Sequence, residues 1–289
     1  MPSYKRQHYL PAAYLKYFSS DQASCNRESR IYRYDGKGQH LASVASQCFE
    51  NYFFSKEKAL ETETFFQRGE NFYCQCVDKI RMGTPLTGLE GGNLLAMIFD
   101  FFLRNATHKN LTGKEGIEAY KLRSRIFMGK ILLGREDNNI TVNDLIAYLQ
   151  NNWGIHIISS LPNSIFITSD NPSIVTLLNP SHRNVEMVTL PLTPKHTAVA
   201  FNKRFVSIVS DQASLEDEAT LNIGQIENSE RCIYVSRPLS NDEMTAVKNH
   251  IDKKRNSPSE VFENSWNMPL QHLPKEHYFS FMRLTPPLL

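Results

Sequence analysis

The fold of this chain is decided by residues 153–177, WGIHIISSLPNSIFITSDNPSIVTL, where the sequence pattern changes. The short runs Gly154–Ser159, Ile165–Thr168 and Ser173–Leu177 are rich in apolar and β-branched residues, as strands usually are. Turn-forming residues such as Pro162-Asn163 separate these runs. The pattern therefore predicts several short strands that lie close together in the chain.

The same pattern continues toward the C-terminus, where further strands are followed by helices. The predicted elements are, in chain order, strands at Glu186–Leu190, Thr197–Phe201 and Phe205–Val209, a helix at Leu215–Asn228, a strand at Cys232–Ser236 and a helix at Asn241–Lys254. This part of the chain should form a mostly antiparallel sheet with flanking helices.

The region before Trp153 is predicted to be mainly helical. Its apolar residues recur at helical spacing in a short helix after Pro11, at Lys56–Arg81, at Asn93–Asn105, at Glu115–Leu133 and in a helix that begins at Thr141. A small hairpin is predicted from Arg30 to Val44, around an Asp35-Gly36 turn. The helix at Asn93–Asn105 is apolar on more than one face, so we expect it at the centre of the helical core.

Helices followed by closely spaced strands indicate an α+β protein and not a succession of β–α–β units. We divide the chain into a mainly helical region, 1–152, a sheet region with helices, 153–256, and an irregular tail, 257–289, that prolines interrupt. The first two regions are expected to share one core.

Composition limits the class of protein. A net charge of +2 over 289 residues is too close to neutral to indicate nucleic-acid or membrane binding from bulk charge alone. No run of about eighteen apolar residues and no signal-peptide pattern is found, which predicts a cytoplasmic protein without a membrane partner. The five cysteines are sparse and odd in number, so we predict unpaired thiols in a reducing compartment.

The common catalytic and metal-binding motifs are missing from the sequence, and two short polar stretches remain as candidates. The first is His8-Tyr9-Leu10-Pro11. A histidine just before a helix N-terminus is favoured in its neutral form, which is the form that a general base or a metal ligand needs. The alternative is a histidine that only hydrogen-bonds the first helical turn.

The second stretch is Ser169-Asp170-Asn171-Pro172, between two predicted strands. A carboxylate at the end of a strand can hold a metal ion or activate water. Pro172 requires an extended Asn171, which makes this corner rigid. The alternative is an ordinary turn, because these four residue types are among the commonest in turns.

Arg104 is the third candidate, at the end of the strongly apolar helix. Its guanidinium could pair with a buried carboxylate or with a bound phosphate. The alternative is simple complementarity between a cation and the helix C-terminus. Glu61 and Glu70, on the preceding helix, are expected to be solvated surface residues.

Several motifs occur in a fixed order along the chain: His8-Tyr9-Leu10-Pro11, Tyr14-Leu15 with Phe18, Tyr34-Asp35, Phe166–Pro172 and Leu190–Pro194. In this order the sequence resembles a widespread, mainly bacterial family of unknown function that has an N-terminal His-x-x-Pro motif. The similarity extends from His8 to about Tyr234. The resemblance implies that the two polar stretches occupy the most characteristic positions of the family, and that Arg104 lies where the family often has an arginine. It implies no activity.

Our first hypothesis is a hydrolase of nucleic acid, with a site formed by His8, Arg104, Asp170 and Asn171. His8 would be base or ligand, Asp170 would activate water or hold a divalent metal ion, and Arg104 would contact phosphate. Standalone proteins of unknown function often act in phage defence or as toxins, which is a property of the class and not of these residues. This hypothesis predicts that His8, Arg104 and Asp170 converge on one polar pocket.

Two alternatives remain open. In one, the same residues belong to a non-catalytic module that binds a ligand, a protein partner or a second copy of the chain. In the other, the motifs only hold the fold together.

Overall fold

The structure, a computed structural model of the chain, describes residues 6–21, 26, 28–104, 117–133, 139–177, 185–256, 271–272 and 279–284. The α-helices are α1 Ala12–Leu15, α2 Ala59–Arg81, α3 Gly88–Leu103, α4 Ile117–Leu133, α5 Val142–Asn152, α6 Leu215–Asn228 and α7 Asn241–Asn256. The strands are β1 Arg6–His8, β2 Arg30–Tyr34, β3 Gln39–Ser43, β4 Phe49–Asn51, β5 Trp153–Ser159, β6 Thr168–Ser169, β7 Ile174–Leu177, β8 Met187–Thr193, β9 His196–Asn202, β10 Val206–Ile208, β11 Ile233–Val235, β12 Gln271–His272 and β13 Met282–Leu284. The predicted α+β class is confirmed.

The described strands form a five-stranded sheet in the order β12-β7-β8-β9-β5 and a four-stranded sheet in the order β3-β2-β11-β6. Two further pairs are β1-β4 and β10-β13. Neighbouring strands run antiparallel, apart from β12 and β7, which run parallel. The predicted hairpin, β2-β3, does not stand alone, because β2 also pairs with β11 from the C-terminal half.

Helix α3 begins at Gly88, five residues before the predicted start at Asn93. The reason is a capping box: the Glu90 N–H donates to Thr87 Oγ1 at 3.3 Å, and the Thr87 N–H donates to Glu90 Oε2 at 2.9 Å. Glycine is disfavoured inside helices, but this capped first turn includes Gly88 and Gly91. The helix predicted to begin at Thr141 is present as α5, and a second capping box, between Thr141 and Asp144, starts it.

The largest buried apolar cluster takes residues from both sides of Trp153. On α3, the ring of Phe101 lies 5.2 Å from the ring of Tyr14 and 5.2 Å from that of Tyr73. The Tyr14 hydroxyl lies 2.5 Å from Thr168 Oγ1 and donates to the carbonyl oxygen of Pro191 at 2.8 Å. Helix α3 is therefore central, as expected, and α1 joins it to both larger sheets.

The tail is expected to be irregular from 257 to 289, and the structure differs from this in two places. Gln271–His272 and Met282–Leu284 are strands, and the second pairs with β10. Phe279 and Phe281 stack with their ring centroids 4.9 Å apart and are buried in a second apolar cluster. Burial of these aromatic rings outweighs the local preference for irregular chain. The other tail residues lie outside the described ranges.

Two expectations from composition can be compared with the structure. Among the described residues, no helix combines the length and the apolar character that crossing a bilayer requires. The four cysteines that the structure describes, Cys48, Cys74, Cys76 and Cys232, form no disulfide with one another. Cys25 lies outside the described ranges.

Candidate functional site

His8 ends strand β1, opposite Phe49 on β4. Its Nε2 lies 3.3 Å from the carbonyl oxygen of Ala45, and its ring meets the ring of Phe49 edge-on at 5.8 Å. The following residue, Tyr9, donates its N–H to the carbonyl oxygen of Cys48 at 3.0 Å. The imidazole is therefore placed against the chain that leads into β4.

Arg104, at the C-terminal end of α3, is 2% exposed. Its Nη2 lies 3.0 Å from Glu70 Oε1 on α2, and its Nη1 lies 3.3 Å from Asp100 Oδ2 on its own helix. Nη2 also donates to the backbone carbonyl oxygen of His8 at 3.3 Å, and the guanidinium lies 3.9 Å from the ring centroid of Phe66. The side chain thus joins α2, α3 and β1.

The charge of Arg104 is compensated within the chain. Burial alone would lower the pKa of Arg104, but the carboxylates of Asp100 and Glu70 more than offset this, so its pKa is raised. A phosphate would have to compete with both carboxylates for this guanidinium. Glu70 is therefore not the solvated surface residue that the sequence analysis expects.

Asp170 is 1% exposed and accepts two hydrogen bonds from the loop after α6. Its Oδ1 accepts from the Glu230 N–H and its Oδ2 from the Arg231 N–H, each at 2.9 Å. Burial raises the pKa of Asp170 to about 6, although these N–H groups act in the opposite direction. The carboxyl group therefore fixes the loop that carries Arg231.

Asn171 and Asn228 form a reciprocal pair. Asn171 Nδ2 donates to the carbonyl oxygen of Asn228 at 3.3 Å, and Asn228 Nδ2 donates to the carbonyl oxygen of Asn171 at 2.6 Å. Gln225 Nε2 donates to the carbonyl oxygen of Pro172 at 2.8 Å. Asn171 Oδ1 has no hydrogen-bond partner in the described part of the chain. Helix α6 thus holds this corner through Gln225 and Asn228, which the sequence analysis does not single out.

The segments that carry His8 and Asp170 meet through neighbouring side chains. The guanidinium carbon of Arg231 lies 5.9 Å from the ring centroid of Tyr9, and Arg231 Nη2 lies 2.9 Å from Glu50 Oε1. Arg104 reaches His8 at the backbone oxygen and not at the ring. His8, Arg104 and Asp170 are therefore connected through backbone groups and intermediate residues. These contacts do not bring the three side chains together around a shared polar pocket.

Two buried thiols lie beside this corner. Cys48 Sγ is 3.1 Å and Cys232 Sγ 3.2 Å from the hydroxyl of Tyr234. Burial, with a further contribution from Asp170, raises the pKa of Cys232 to about 11. A thiol of such high pKa is protonated at neutral pH and is a poor nucleophile. In the described residues, no three His, Cys, Asp or Glu side chains are grouped so that they could hold a metal ion.

A cavity of about 1100 Å³ lies elsewhere, between the start of α3, helix α5 and strand β5. We call it the α3–β5 groove. Most of its wall is apolar, and its lining includes Leu86, Leu95, Leu149, Trp153 and Ile155. The groove could not be predicted from the sequence, since its walls come from segments that lie far apart along the chain.

A few polar side chains are found in the same groove. His156 Nε2 lies 2.6 Å from Asp211 Oδ1, and His196 Nδ1 lies 3.0 Å from Thr193 Oγ1. Burial lowers the pKa of His196, and the nearby charges of Arg81 and Lys195 lower it further. His196 is therefore a neutral hydrogen-bonding group at pH 7.

Glycines keep the groove open along α3. A Cβ on Gly91 would lie 3.4 Å from Ile155 Cγ2, whereas a Cβ on Gly88 or Gly92 would meet nothing within 4 Å. A glycine in a helix costs roughly 0.5–1 kcal/mol relative to alanine. A separation of 3.4 Å is ordinary van der Waals contact, so packing within the described residues requires glycine at none of these three positions, all of which line the groove.

Comparison with known proteins gives a family but no activity. Searches of curated proteins and of solved structures found no significant match. The sequence profile of a family described as a protein of unknown function, DUF4238, matches residues 6–238, which is most of the chain. This range includes both polar stretches, Arg104 and the whole α3–β5 groove. The chain therefore belongs to the DUF4238 family of proteins of unknown function.

Proposed function

We propose that this protein is a non-catalytic binding module whose ligand occupies the α3–β5 groove. The observation that carries the proposal is the groove itself, about 1100 Å³ in volume, with a mainly apolar wall and a few polar groups. Ligand sites in proteins have this character: typical volumes are roughly 300–1000 Å³, and a small number of polar groups orient the ligand.

The contacts of the family motifs support a binding module over an enzyme. Asp170 and Arg104 are almost fully buried and are hydrogen-bonded to the chain's own backbone and carboxylates. Groups in this state stabilise a fold, and a substrate would have to displace their partners. In this proposal the motifs fix the positions of α2, α3 and α6, and the groove does the binding.

The proposal predicts that the apolar dye anilinonaphthalene sulfonate binds the groove and that Gly92→Phe weakens this binding at least about tenfold, a loss of about 1.4 kcal/mol. The new side chain would extend into open space, because a Cβ at Gly92 meets nothing within 4 Å. Replacing a helical glycine should leave stability unchanged or raise it by up to about 1 kcal/mol. Dye fluorescence gives the affinity, and thermal unfolding gives the stability.

Gly38→Phe is the matched control. A Cβ at Gly38 also meets nothing within 4 Å, but this residue lies in the turn between β2 and β3 and does not line the groove. Dye binding should therefore be unchanged in this variant. Equal binding by the wild type and both variants would show that the dye does not use the groove, and the proposal would be wrong.

A hydrolase of nucleic acid is a second candidate, and the raised pKa of Asp170 favours it. A carboxyl group with a pKa of about 6 can take up and release a proton near neutral pH, as a general acid or base must. The test is cleavage of labelled single-stranded RNA and DNA with Mg²⁺ or Mn²⁺ present. This candidate requires activity that Asp170→Asn removes and Lys121→Met leaves intact; wild-type protein that cleaves neither substrate rules it out.

The same carboxyl group predicts a pH dependence of stability. Its pKa is raised from 3.8 to about 6 by folding, so its contribution is complete below pH 3.8 and is lost as the pH rises through about 6. The difference corresponds to about 3 kcal/mol between acidic and neutral pH. In urea unfolding, the free energy of the wild type minus that of Asp170→Asn should therefore fall by about 3 kcal/mol between pH 4 and pH 7, because Asn does not titrate. Parallel pH profiles for the two proteins would contradict the raised pKa.

A further inference from the structure

We infer that the ligand of the groove is an extended polypeptide, which adds a strand to the free edge of β5; the inference rests on the proposed function. Strand β5 is the last strand of the five-stranded sheet, and its only neighbour along its length in the described residues is β9. The pairing runs without a bulge from Trp153 opposite Asn202 to Ser159 opposite His196. The other side of the strand therefore offers a straight row of backbone groups.

The contacts at both ends of β5 identify the backbone groups on that free side. At one end the Ser159 N–H donates to the carbonyl oxygen of Asp211 at 2.8 Å, which turns Ser159 away from β9. At the other end Asn152 accepts from the Lys203 N–H and so faces β9. Because alternate residues face opposite edges, Ile155 and Ile157 present their N–H and carbonyl groups to the free side.

These groups lie in the groove, and nothing in the described part of the chain pairs with them. Ile155 and Ile157 both line the groove, and neither takes part in a hydrogen bond outside the β5-β9 ladder. Two donors and two acceptors at strand spacing match the backbone of an extended chain. A compact apolar molecule would leave them unpaired.

The sheet already begins a sixth strand at this edge. Gln212 forms a parallel bridge with Ser159, and the Ala213 N–H donates to the Ser159 carbonyl oxygen at 3.0 Å. The chain then turns into α6 at Leu215. Within the described residues, the next strand position is thus occupied beside Ser159 and open beside Ile155 and Ile157.

The sequence of β5 does not protect this edge. Exposed edge strands usually carry lysine, proline or a bulge, because these prevent pairing with another chain. Residues 153–159, WGIHIIS, contain no charged residue and no proline, and their pairing is regular. A second copy of β5 is a less suitable partner, since α5 and the start of α3 would flank the edge on both copies.

The geometry also indicates the pattern of the peptide. Ile155 packs toward α3, within 3.4 Å of a Cβ on Gly91, so peptide side chains on that side would meet the apolar wall. Side chains on the other side would face solvent, as alternate residues of a strand do. The carboxylate of Asp211, 86% exposed at the Ser159 end, favours a basic residue nearby. We therefore expect alternating apolar and polar residues with a basic end.

The test uses fluorescein-labelled heptapeptides of the pattern Lys-Φ-Thr-Φ-Thr-Φ-Lys, where Φ is Val, Ile, Leu or Phe, with binding measured by anisotropy. N-methyl groups are added to alternate amides of the tightest binder, first in one register and then in the other. One register should weaken binding at least about tenfold, because it removes the donors that face β5, and the other should leave it within about twofold. Gly92→Phe should weaken binding of the unmethylated peptide, and Gly38→Phe should not.

Amide hydrogen exchange provides a second reading on the wild-type protein. Bound peptide should slow exchange at Ile155 and Ile157, whereas the amides of His156 and Ile158 are already protected by β9. Equal effects of both N-methyl registers would overturn strand addition while leaving the groove as a binding site.

Binding of the dye without binding of any peptide in the set would likewise overturn strand addition and leave the groove as a binding site. A dimer that Gly92→Phe dissociates and that excludes the peptide would make the second copy the occupant instead. If Gly92→Phe weakens the binding of neither the dye nor the peptide, the proposed function itself is wrong.

Discussion

Arg104→Met will lower the free energy of unfolding by about 3–5 kcal/mol, because it leaves the carboxylates of Glu70 and Asp100 without their buried partner. The guanidinium is 2% exposed and lies 3.0 Å and 3.3 Å from these two groups. Methionine can replace part of the packing against the ring of Phe66 but none of the charge. Urea unfolding at neutral pH measures the change.

Two further variants separate lost charge from lost packing. Adding Glu70→Gln to Arg104→Met should recover part of the stability, since one uncompensated charge is removed. Lys121→Met is the control: Lys121 pairs with Glu118 at 2.7 Å on the surface of α4, where such pairs contribute about 0–1 kcal/mol. A loss below about 1 kcal/mol for Arg104→Met would mean that the guanidinium is solvated, and it would again be available to bind phosphate.

Phe101→Ala should cost about 3–5 kcal/mol, as large-to-small changes do in a core that cannot collapse around the cavity. Phe101 is 1% exposed and meets Tyr14 and Tyr73 with ring centroids 5.2 Å apart in each case. Since the Tyr14 hydroxyl bonds to Thr168 and Pro191, movement of its ring would also disturb the contact with the sheets. Denaturant unfolding gives the free energy.

Phe72→Ala is the matched control for this prediction, because the Phe72 side chain is 50% exposed on α2. It should cost much less, within about 1 kcal/mol, as surface substitutions usually do. If Phe101→Ala costs less than about 1 kcal/mol, the packing around α3 rearranges in solution, and α3 is not the fixed centre of the core.

The sequence predicts the candidate residues of the site but not the partners to which they are hydrogen-bonded. Asp170 and Arg104 were identifiable, since a carboxylate beside a rigid turn and an arginine at the end of an apolar helix are local patterns. Their partners were not: Arg104 bonds to Glu70, 34 residues away, and Asp170 bonds to Glu230, 60 residues away. Without the partners, a buried structural group cannot be distinguished from a catalytic one.

The α3–β5 groove left only a weak signal in the sequence. Gly88, Gly91 and Gly92 stand close together at the start of a helix that is otherwise strongly apolar. Local propensity disfavours glycine in helices, so the helix is predicted to begin only at Asn93, after these glycines. The capping box at Thr87 offsets this preference, and only the fold places the glycines opposite β5.

The sequence by itself determined the α+β class, the central position of α3 and most of the strands after Trp153. These properties follow from apolar periodicity, which each segment carries locally. Only the tertiary structure decided that β5 is an edge strand, that the hairpin joins β11, and that Arg104 and Asp170 are compensated by the chain itself. The reason is physical: strand order and buried hydrogen bonds depend on which distant segments meet, and periodicity contains no information about the partner.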